Sequence, residues 1–474
     1  MLGAFAMACS GSGTSPSWEL RLAPEIDAQS VRALEATIRR GGCQGELIYA
    51  EQFTFDGANT PPRPPRLNKG RYGLGGAARD AACQTIAQGC VEVTLPASSS
   101  ALQVVLQPQS ASAVCDAAAC SDGQCTGQIT NTWWDPGASH RYRLSFGMAP
   151  AQEALVDFPV LVRLSPERFD YASSVAAGAD LRFVDGQGVT LLAHEVAQWN
   201  PGGVSSVWVR IPRIEIGQNG ASFWLYSGSG NPPAAPAASE VWSAAYQGVY
   251  HFDQDLFDSS AQGFHASDRS TSSAAGQVGG ARALSGNTSF IDLGRNRPFF
   301  RAVQATTLSV WIRAGGARSA NAVLLGIAAN RPPPNTQSRA QLILQPNGAV
   351  EGGSRSLDSE EPIRTLLSPA GSVRDETWHH LSLRTRYLGG AMALFVDGVP
   401  KANATLSFAS TVTSATLAPT AALGADDDGS QHFFRGLVDE LRLSTIDRSD
   451  EWIAWEHLAA SDRLLVYGAA ETRP

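Results

Sequence analysis

The chain has 474 residues, of which 43% are hydrophobic and 17% are charged, and its formal net charge is −8. This length predicts about two to four domains that each bury a core, and an acidic chain without a basic cluster argues against a nucleic-acid partner. The 46 Gly and 27 Pro, many of them clustered between β-branched and aromatic runs, are typical of all-β domains. The sequence contains no apolar run of about 18 residues or more, so no transmembrane helix is predicted.

The first 17 residues are predicted to be a lipoprotein-like signal and tether. A short apolar start leads to Cys9, and a Gly- and Ser-rich stretch follows it. The segment Ala6-Met7-Ala8-Cys9 resembles a bacterial lipobox, although Ala6 stands where Leu is usual and the basic start of a signal peptide is missing. The resemblance implies that Cys9 is lipidated and that the exported protein is anchored to the outer membrane. A plain cleaved N-terminus, with an extracellular protein, is the alternative.

The other six cysteines predict disulfides and therefore an oxidising compartment. They fall into two groups of three, which are Cys43, Cys83 and Cys90, and Cys115, Cys120 and Cys125. If all six pair, at least one bridge must join the two groups, but the connectivity is left open. A metal site is the alternative reading of the second group. Its C-x4-C-x4-C spacing differs from the C-x2-C spacing of metal knuckles, which favours disulfides.

Residues 18–108 are predicted to form a small β-sandwich, and residues 109–131 a Cys-rich linker. The segment VRALEATIRR fits an amphipathic helix, because Val31, Leu34 and Ile38 are three or four residues apart. It fits equally well a strand that turns at RRGG into GELIYAEQF. The L-x-x-G-x-Y-x-L stretch that starts at Leu67 resembles small immunoglobulin-like or carboxypeptidase-regulatory-like sandwiches.

Residues 132–245 are predicted to form a second β-sandwich. Its strands are legible as short alternating or apolar runs, for example VSSVWVRIP and ASFWLYSG. The motifs DFPVLVRL, FDYA, GADLRFVDGQG and VWVRIPRI occur in an order that resembles a domain of unknown function of bacterial surface proteins. That domain is found beside laminin-G-like modules. The resemblance implies a fold and no particular chemistry.

Residues 246–446 resemble a laminin-G-like, concanavalin A-like jelly roll. The motifs that carry the resemblance include YHFDQDLFDSS, TLSVWIRA, TWHHLSLRT and FFRGLVDELRLS, in family order. Within TLSVWIRA, the residues Leu308, Val310 and Ile312 alternate and should face one way. Asp397-Gly398 predicts a type I′ hairpin between two strands. The predicted fold class is therefore all-β, a multi-domain β-sandwich protein that ends in a jelly roll.

Residues 447–474 are predicted to be a C-terminal tail with one short helix. In the segment WIAWEHLAAS, the packed stripe would consist of Trp452, Trp455 and either Leu458 or Ala459.

No catalytic constellation is visible in the sequence. Glycoside hydrolysis needs a pair of carboxylates, which on a strand of this fold appears as E-x-D-x-E. The only E-x-D segment is Glu25-Ile26-Asp27, which lies outside the jelly roll. The H-E-x-x-H and G-x-S-x-G motifs do not occur. We therefore expect that the protein is not an enzyme.

Calcium is the cofactor that the jelly-roll resemblance implies, because related modules often bind it through loop carboxylates. The family motifs point to Asp258 and Asp439 as its ligands. The alternative is that these carboxylates fasten turns. The consecutive residues His379 and His380 should point to opposite faces of a strand, so they cannot chelate one ion.

Tryptophans are concentrated in the second sandwich and offer either sugar-stacking platforms or core packing. They are Trp133, Trp134, Trp199, Trp208 and Trp224.

The predicted function is that of a non-catalytic, exported bacterial surface protein. It would bind carbohydrate or a surface protein through the laminin-G-like domain and touch the membrane only through a lipid anchor. A structural spacer or assembly protein of the cell envelope is the alternative, and a glycan-processing enzyme is less favoured.

Overall fold

The structure is a computed structural model of the chain. It describes residues 5–7, 17–43, 46–55, 67, 69–95, 101–113, 120–121, 123–125, 133–135, 137–186, 188–217, 220–295, 301–329, 339–357, 362–413 and 419–473. The chain divides into two compact units. Unit 1 comprises Met1–Ala138, Val184–Leu191 and Phe223–Tyr226, whereas unit 2 comprises Ser139–Phe183, Leu192–Ser222 and Ser227–Pro474.

The first 125 residues of unit 1 are built on one seven-stranded sheet and a small hairpin. The described strands are β1 (Phe5–Met7), β2 (Ser17–Leu22), β3 (Ala33–Arg40), β4 (Glu46–Thr54), β5 (Gly70–Arg79), β6 (Gln84–Leu95), β7 (Ala101–Ala113), β8 (Cys120–Ser121) and β9 (Gln124–Cys125). The sheet order is β1-β2-β7-β6-β5-β3-β4, and β8 pairs with β9. Strands β2 and β7 are parallel, while β3 pairs with β4 and β5 in antiparallel fashion.

The segment VRALEATIRR is therefore a strand and not a helix. Its alternate residues Leu34, Ala36 and Ile38 are buried, and they pack in one apolar cluster with Trp18 and Leu74. A strand is favoured because its period of two places Leu34, Ala36 and Ile38 on one buried face. A helix at this position could not form the backbone hydrogen bonds that β3 makes with β4 and β5.

Two disulfides staple this sheet. Cys43 is bonded to Cys90, with their Cα atoms 5.9 Å apart, and Cys83 is bonded to Cys120, with a Cα separation of 5.8 Å. The second bridge joins the two cysteine groups of the sequence. Cys9 and Cys115, together with the side chain of Cys125, lie outside the described residues.

The segment from residue 139 to residue 245 forms short strands that alternate with turns. These strands are β10 (His140–Phe146), β11 (Leu155–Leu164), β12 (Arg182–Asp185), β13 (Leu191–Leu192), β14 (His194–Gln198), β15 (Ser205–Ile214) and β16 (Ser222–Ser227). We call this segment of the chain the middle sandwich. Strands β11, β15 and β14 form an antiparallel three-stranded sheet in that order.

The jelly roll is made of two large antiparallel sheets. Its described strands are β17 (Tyr246–Tyr250), β18 (Ser267–Arg269), β19 (Ser272–Ala275), β20 (Gly280–Ser285), β21 (Phe290–Gly294), β22 (Ala305–Ala314), β23 (Ala322–Ala329), β24 (Ala340–Leu344), β25 (Val350–Ser354), β26 (Arg364–Leu367), β27 (Trp378–Arg386), β28 (Ala391–Val396), β29 (Val399–Thr405), β30 (Pro419–Leu423) and β31 (Arg435–Ser444). One sheet has the order β19-β20-β31-β22-β27-β28-β29, with β17 also paired to β31, and the other has the order β18-β21-β30-β23-β24-β25-β26.

The jelly-roll core confirms the alternation seen in the sequence. Leu308, Val310 and Ile312 of β22 are fully buried in one apolar cluster with residues of the opposite sheet. The hairpin prediction is also confirmed, because β28 pairs with β29 and both turn residues have positive φ, 54° at Asp397 and 74° at Gly398. A type I′ turn requires this conformation.

The C-terminal tail is more than a short helix. Helix α1 (Asp450–Ala460) is capped at its N-terminus by Ser449, whose hydroxyl accepts a hydrogen bond from the Trp452 amide at 3.0 Å. Trp452, Trp455 and Ala459 are buried as the predicted stripe requires. After the helix, strand β32 (Leu465–Thr472) pairs antiparallel with β10, more than 300 residues earlier in the chain. The tail therefore completes the middle sandwich.

Helix α1 also packs against both neighbouring parts of unit 2. The Trp455 ring lies 5.7 Å from Phe146 and 6.0 Å from Phe158 of the middle sandwich, measured between ring centres. On the jelly-roll side, Ile453 packs with Phe395. Of the helices formed by the described residues, none has the length and hydropathy needed to span a bilayer.

Candidate functional site

Asp258 fastens the opening loop of the jelly roll. One carboxylate oxygen accepts hydrogen bonds from the amides of Val249 and Ser260, both at 2.9 Å. The other accepts from the Ser260 hydroxyl at 2.9 Å and from the Phe264 amide at 2.8 Å. Protein donors thus occupy both oxygens, so the geometry of Asp258 does not fit a calcium ligand.

Asp439 is buried on β31 and uses different partners. Its Oδ2 atom accepts a hydrogen bond from the Val278 amide at 2.9 Å. Burial, reinforced by the negative charge of Glu440, raises its pKa well above the usual value for an aspartate. The described residues contain no group of three or more His, Cys, Asp or Glu side chains arranged to hold a metal ion. Calcium binding therefore stays a prediction, and the described residues offer no set of ligands for the ion.

The two neighbouring histidines point to opposite faces of β27. The Nδ1 atom of His379 lies 2.8 Å from Asp397 Oδ2, whereas the ring of His380 lies 5.3 Å from that of Trp311. The two rings therefore lie on opposite faces of the sheet and have different partners.

Core packing accounts for most of the tryptophans of the second sandwich. Trp208 is fully buried, and Trp224 packs beside Tyr226. Trp133 and Trp134 lie against the same Tyr226 ring, at 5.9 and 6.1 Å between centres. Trp199 differs, because it supports the cleft described below.

A chain of buried ion pairs connects the middle sandwich, the jelly roll and α1. His251 lies between Glu195 of β14, at 3.5 Å, and Glu440 of β31, at 2.7 Å. Arg442 lies between Glu440, at 3.0 Å, and Glu456 of α1, at 2.7 Å. Sequence patterns did not single out this chain of ion pairs, because its members are far apart in the sequence.

The ion-pair chain is held in its charged form by its own members. Burial opposes a charge on His251, but Glu440 and Glu195 outweigh it and raise the pKa of the imidazole well above its usual value. Burial likewise opposes a charge on Glu440, but His251 and Arg442 outweigh it and lower the pKa of that carboxyl. The Arg442 guanidinium also lies 4.3 Å from the Trp208 ring centre. These contacts fasten the parts of unit 2 together, and the side chains involved are buried.

His194 of β14 should make stability depend on pH. Burial, and then the charge of Arg182, lower its pKa to about 4. The unfolded imidazole takes up a proton below about pH 6.5 whereas the folded one does not until about pH 4, so acid favours unfolding. The stabilisation is complete above pH 6.5 and is lost as the pH falls towards 4.

Between pH 7 and pH 4, the free energy of unfolding of His194→Gln should therefore fall by roughly 3 kcal/mol less than that of the wild-type protein. Urea unfolding of both proteins at pH 7 and pH 4 measures this difference. The same pH dependence in the two proteins would contradict the prediction.

A cleft of about 540 Å³ opens in the middle sandwich, and all of its lining belongs to unit 2. One wall is formed by the turn that follows β11, from Pro166 to Ala172. The opposite wall is formed by β32, from Tyr467 to Ala470, while Tyr142 of β10 and Pro201 complete the lining. The volume is within the range of small-ligand sites.

Packed aromatic rings support the cleft. Between ring centres, Phe169 lies 5.4 Å from Tyr142 and 5.1 Å from Tyr171. Trp199 lies behind them, 5.0 Å from Tyr171. Its place depends on Gly178, which has a φ of 68°, because a Cβ there would lie 2.7 Å from the Trp199 ring.

The tyrosine hydroxyls of the cleft are already bonded within the protein. Tyr142 accepts from the Asp170 amide at 3.1 Å, and Tyr467 accepts from the Arg163 amide at 2.8 Å. The Tyr171 hydroxyl lies 2.6 Å from the Leu164 carbonyl. Burial raises the pKa of Tyr467 to about 12. These tyrosines therefore give the cleft its shape and apolar surface, with their hydroxyls fixed.

Three charged side chains supply the polar part of the lining. Arg168 binds both carboxylate oxygens of Asp462, at 3.0 and 2.8 Å, and its guanidinium lies 4.2 Å from the Tyr467 ring centre. Asp170 begins a short 3-10 turn by accepting from the Ala172 amide. Glu167 is exposed. The cleft thus combines the partly exposed rings of Tyr171 and Tyr467 with carboxylates that can accept hydrogen bonds, whereas Tyr142 and Phe169 are buried.

The jelly-roll sheet that contains β22, β27 and β28 is covered on its outer face. Ile453 of α1 packs on Ala393 and Phe395. The His457 ring stacks on Trp311 at 5.3 Å between centres, and the Ser309 hydroxyl donates to Glu456 at 3.2 Å. This part of the sheet is therefore not available to a ligand.

Two family models match the chain. Residues 177–262 match the domain of unknown function DUF2341, and residues 285–454 match the concanavalin A-like lectin/glucanases superfamily. The chain therefore carries a DUF2341 domain followed by a laminin-G-type concanavalin A-like domain, and the all-β prediction with a C-terminal jelly roll is confirmed. Comparison with curated proteins finds no match.

Solved structures with detectable similarity include three sugar- or receptor-binding domains. Domain 4 of AbnA, a GH43 extracellular arabinanase from Geobacillus stearothermophilus solved with arabinotriose, is 22% identical with a TM-score of 0.34, over 45% of this chain and 98% of that one. The receptor binding domain of botulinum neurotoxin D is 12% identical with a TM-score of 0.35, over 45% of this chain and 52% of that one. The Ruminococcus gnavus IT-sialidase CBM40 bound to α2,3 sialyllactose is 20% identical with a TM-score of 0.28, over 35% and 95% of the two chains.

Proposed function

We propose that this protein is a non-catalytic, exported binding protein that recognises carbohydrate in the cleft of the middle sandwich. The observation that carries the proposal is the cleft itself, with its aromatic support, its size of about 540 Å³ and its exposed carboxylates. Sugar sites combine apolar surface for the ring faces with a few polar groups for the hydroxyls. A concanavalin A-like domain in the same chain is consistent with a binding role.

The charges in the cleft support binding without catalysis. Glycoside hydrolysis needs one carboxyl group that is protonated near neutral pH beside one that is ionised. A hydrogen bond from the Ser165 side chain lowers the pKa of Glu167, which is opposite to the shift that a general acid needs. Asp170 uses one oxygen to begin a turn, as described above. Glu167 therefore does not resemble the proton donor of a glycosidase.

Export is supported by the two disulfides of unit 1, which form and persist in oxidising compartments. We include in the proposal that Cys9 carries a lipid anchor, which would hold the protein at the outer membrane. Mass spectrometry of the protein purified from membranes tests this part: a mature chain that begins at a diacylated or triacylated Cys9 is expected, and an unmodified Cys9 or cleavage at another position would contradict it.

A tryptophan placed in the cleft should weaken sugar binding. Ala469 is exposed on β32 and lines the cleft, so Ala469→Trp fills it without disturbing a buried side chain. Val466 is exposed on the same strand outside the lining, so Val466→Trp is the matched control. After a glycan array identifies the ligand of the full chain, calorimetric titration should show at least about a tenfold weaker affinity for Ala469→Trp, which is about 1.4 kcal/mol, and no change for Val466→Trp.

The same experiment separates the cleft from the jelly roll. Unchanged sugar binding by Ala469→Trp would reject the cleft and return recognition to the laminin-G-like domain, as the sequence motifs suggested. Absence of binding to every glycan by the wild-type chain would reject the carbohydrate proposal and favour a spacer or assembly role in the cell envelope.

A further inference from the structure

The cleft carries an excess of negative charge, which should affect its affinity for charged sugars. Among the described residues that line it, Arg168 is the one Lys or Arg side chain, whereas Glu167 and Asp170 are carboxylates. Asp462 adds a third carboxylate through its bond to Arg168. His140, whose Nε2 atom lies 3.9 Å from Asp170 Oδ2, adds an imidazole beside this edge.

Arg168 is already paired with a carboxylate of the protein. Its Nη1 atom contacts both oxygens of Asp462, and its guanidinium plane is held near the Tyr467 ring. A carboxylated ligand would meet a guanidinium whose Nη1 hydrogens are already used by Asp462 and whose charge Asp462 balances. It would also approach Glu167 and Asp170, whose like charges repel it.

We infer that the cleft selects saccharides that carry a protonated amine over neutral ones, and that it excludes sugars that carry a carboxylate. This inference rests on the proposed function. Glu167 is exposed and Asp170 is half-exposed at the side chain, so both can reach an ammonium group on a bound sugar.

The test compares three oligosaccharides of equal length in titrations of the full chain. They are a tetramer of glucosamine, the tetramer of N-acetylglucosamine with the same backbone, and a tetramer of galacturonic acid. At low salt we expect the glucosamine tetramer to bind about fivefold more tightly than its N-acetylated counterpart, which is the attraction of one pair of unit charges about 4 Å apart in water. The uronate tetramer should bind most weakly. The preference for the amine should shrink in 0.5 M salt.

Charge-neutral variants assign the preference to the cleft. Glu167→Gln should reduce the preference for the amine about fivefold. Glu215→Gln is the matched control, because Glu215 is an exposed glutamate outside the cleft lining, and it should change nothing. Amine binding that survives in Ala469→Trp would be non-specific attraction to an acidic protein and would overturn the inference.

The outcomes also distinguish this inference from the proposed function. Tighter binding of the N-acetylated or uronate tetramer, lost in Ala469→Trp, would overturn the charge selectivity and leave carbohydrate binding in the cleft intact. Binding of no tetramer, and of no glycan on an array, would overturn both.

Discussion

Arg442→Ala should destabilise unit 2 by about 3–5 kcal/mol, because it leaves Glu440 and Glu456 buried without their shared cation. Arg442 bridges these two carboxylates at 3.0 and 2.7 Å in a fully buried site. The loss should appear as a lower midpoint of urea unfolding with an unchanged slope, measured by far-UV circular dichroism of the full chain.

A surface ion pair provides the control for this variant. Arg386 is exposed and lies 3.6 Å from Asp447, so Arg386→Ala should cost less than about 1 kcal/mol. Equal effects of the two variants would mean that burial of the ion-pair chain does not matter for stability, which would contradict the structure.

Trp455→Ala should cost about 3–5 kcal/mol, because it removes a large buried ring and leaves a cavity between α1 and the middle sandwich. The Trp455 ring is 3% exposed and contacts Phe146 and Phe158. Thermal unfolding of the full chain measures the effect. Val466→Ala, at an exposed position of the following strand, should change stability by less than about 0.5 kcal/mol.

The result for Trp455 also decides whether the tail belongs to the fold. If Trp455→Ala is as stable as Val466→Ala, α1 is a dispensable appendage and the assignment of α1 and β32 to unit 2 is wrong. If the large loss is found, a fragment that begins at residue 246 would lack the β10 partner of β32 and should be unstable.

The elements that were predictable from the sequence are those with a strong local pattern. Leu308, Val310 and Ile312 alternate over one strand, and Asp397-Gly398 requires positive φ, so both features are set within a few residues. VRALEATIRR was ambiguous because its apolar residues satisfy both periods. Only the neighbouring strands β4 and β5, which pair with it, decide that it is β3.

The cleft could not be predicted because its walls come from opposite ends of unit 2. Tyr142 and Tyr467 are brought together by the pairing of β10 with β32, which has no local sequence signal. A partial signal existed in the FDYA motif, which places Phe169 and Tyr171 in a turn and not in a strand. Aromatic residues in a turn between strands were therefore a better guide than the tryptophans within strands, which fill the core.

Charged residues in the core were also missed, for the same physical reason. Arg442 and Glu456 would each be expected at the surface, because an isolated buried charge is very costly. Each becomes tolerable only when its partner from another element is in place, and single-chain patterns do not report such partners.

The most direct test of the account is a crystal structure of the full chain with the oligosaccharide that binds most tightly. We predict a sugar between the turn that contains Glu167 and Asp170 and the strand from Tyr467 to Ala470, with at least one carboxylate accepting a hydrogen bond from it. A sugar bound on the jelly roll, with the cleft filled only by water, would contradict it.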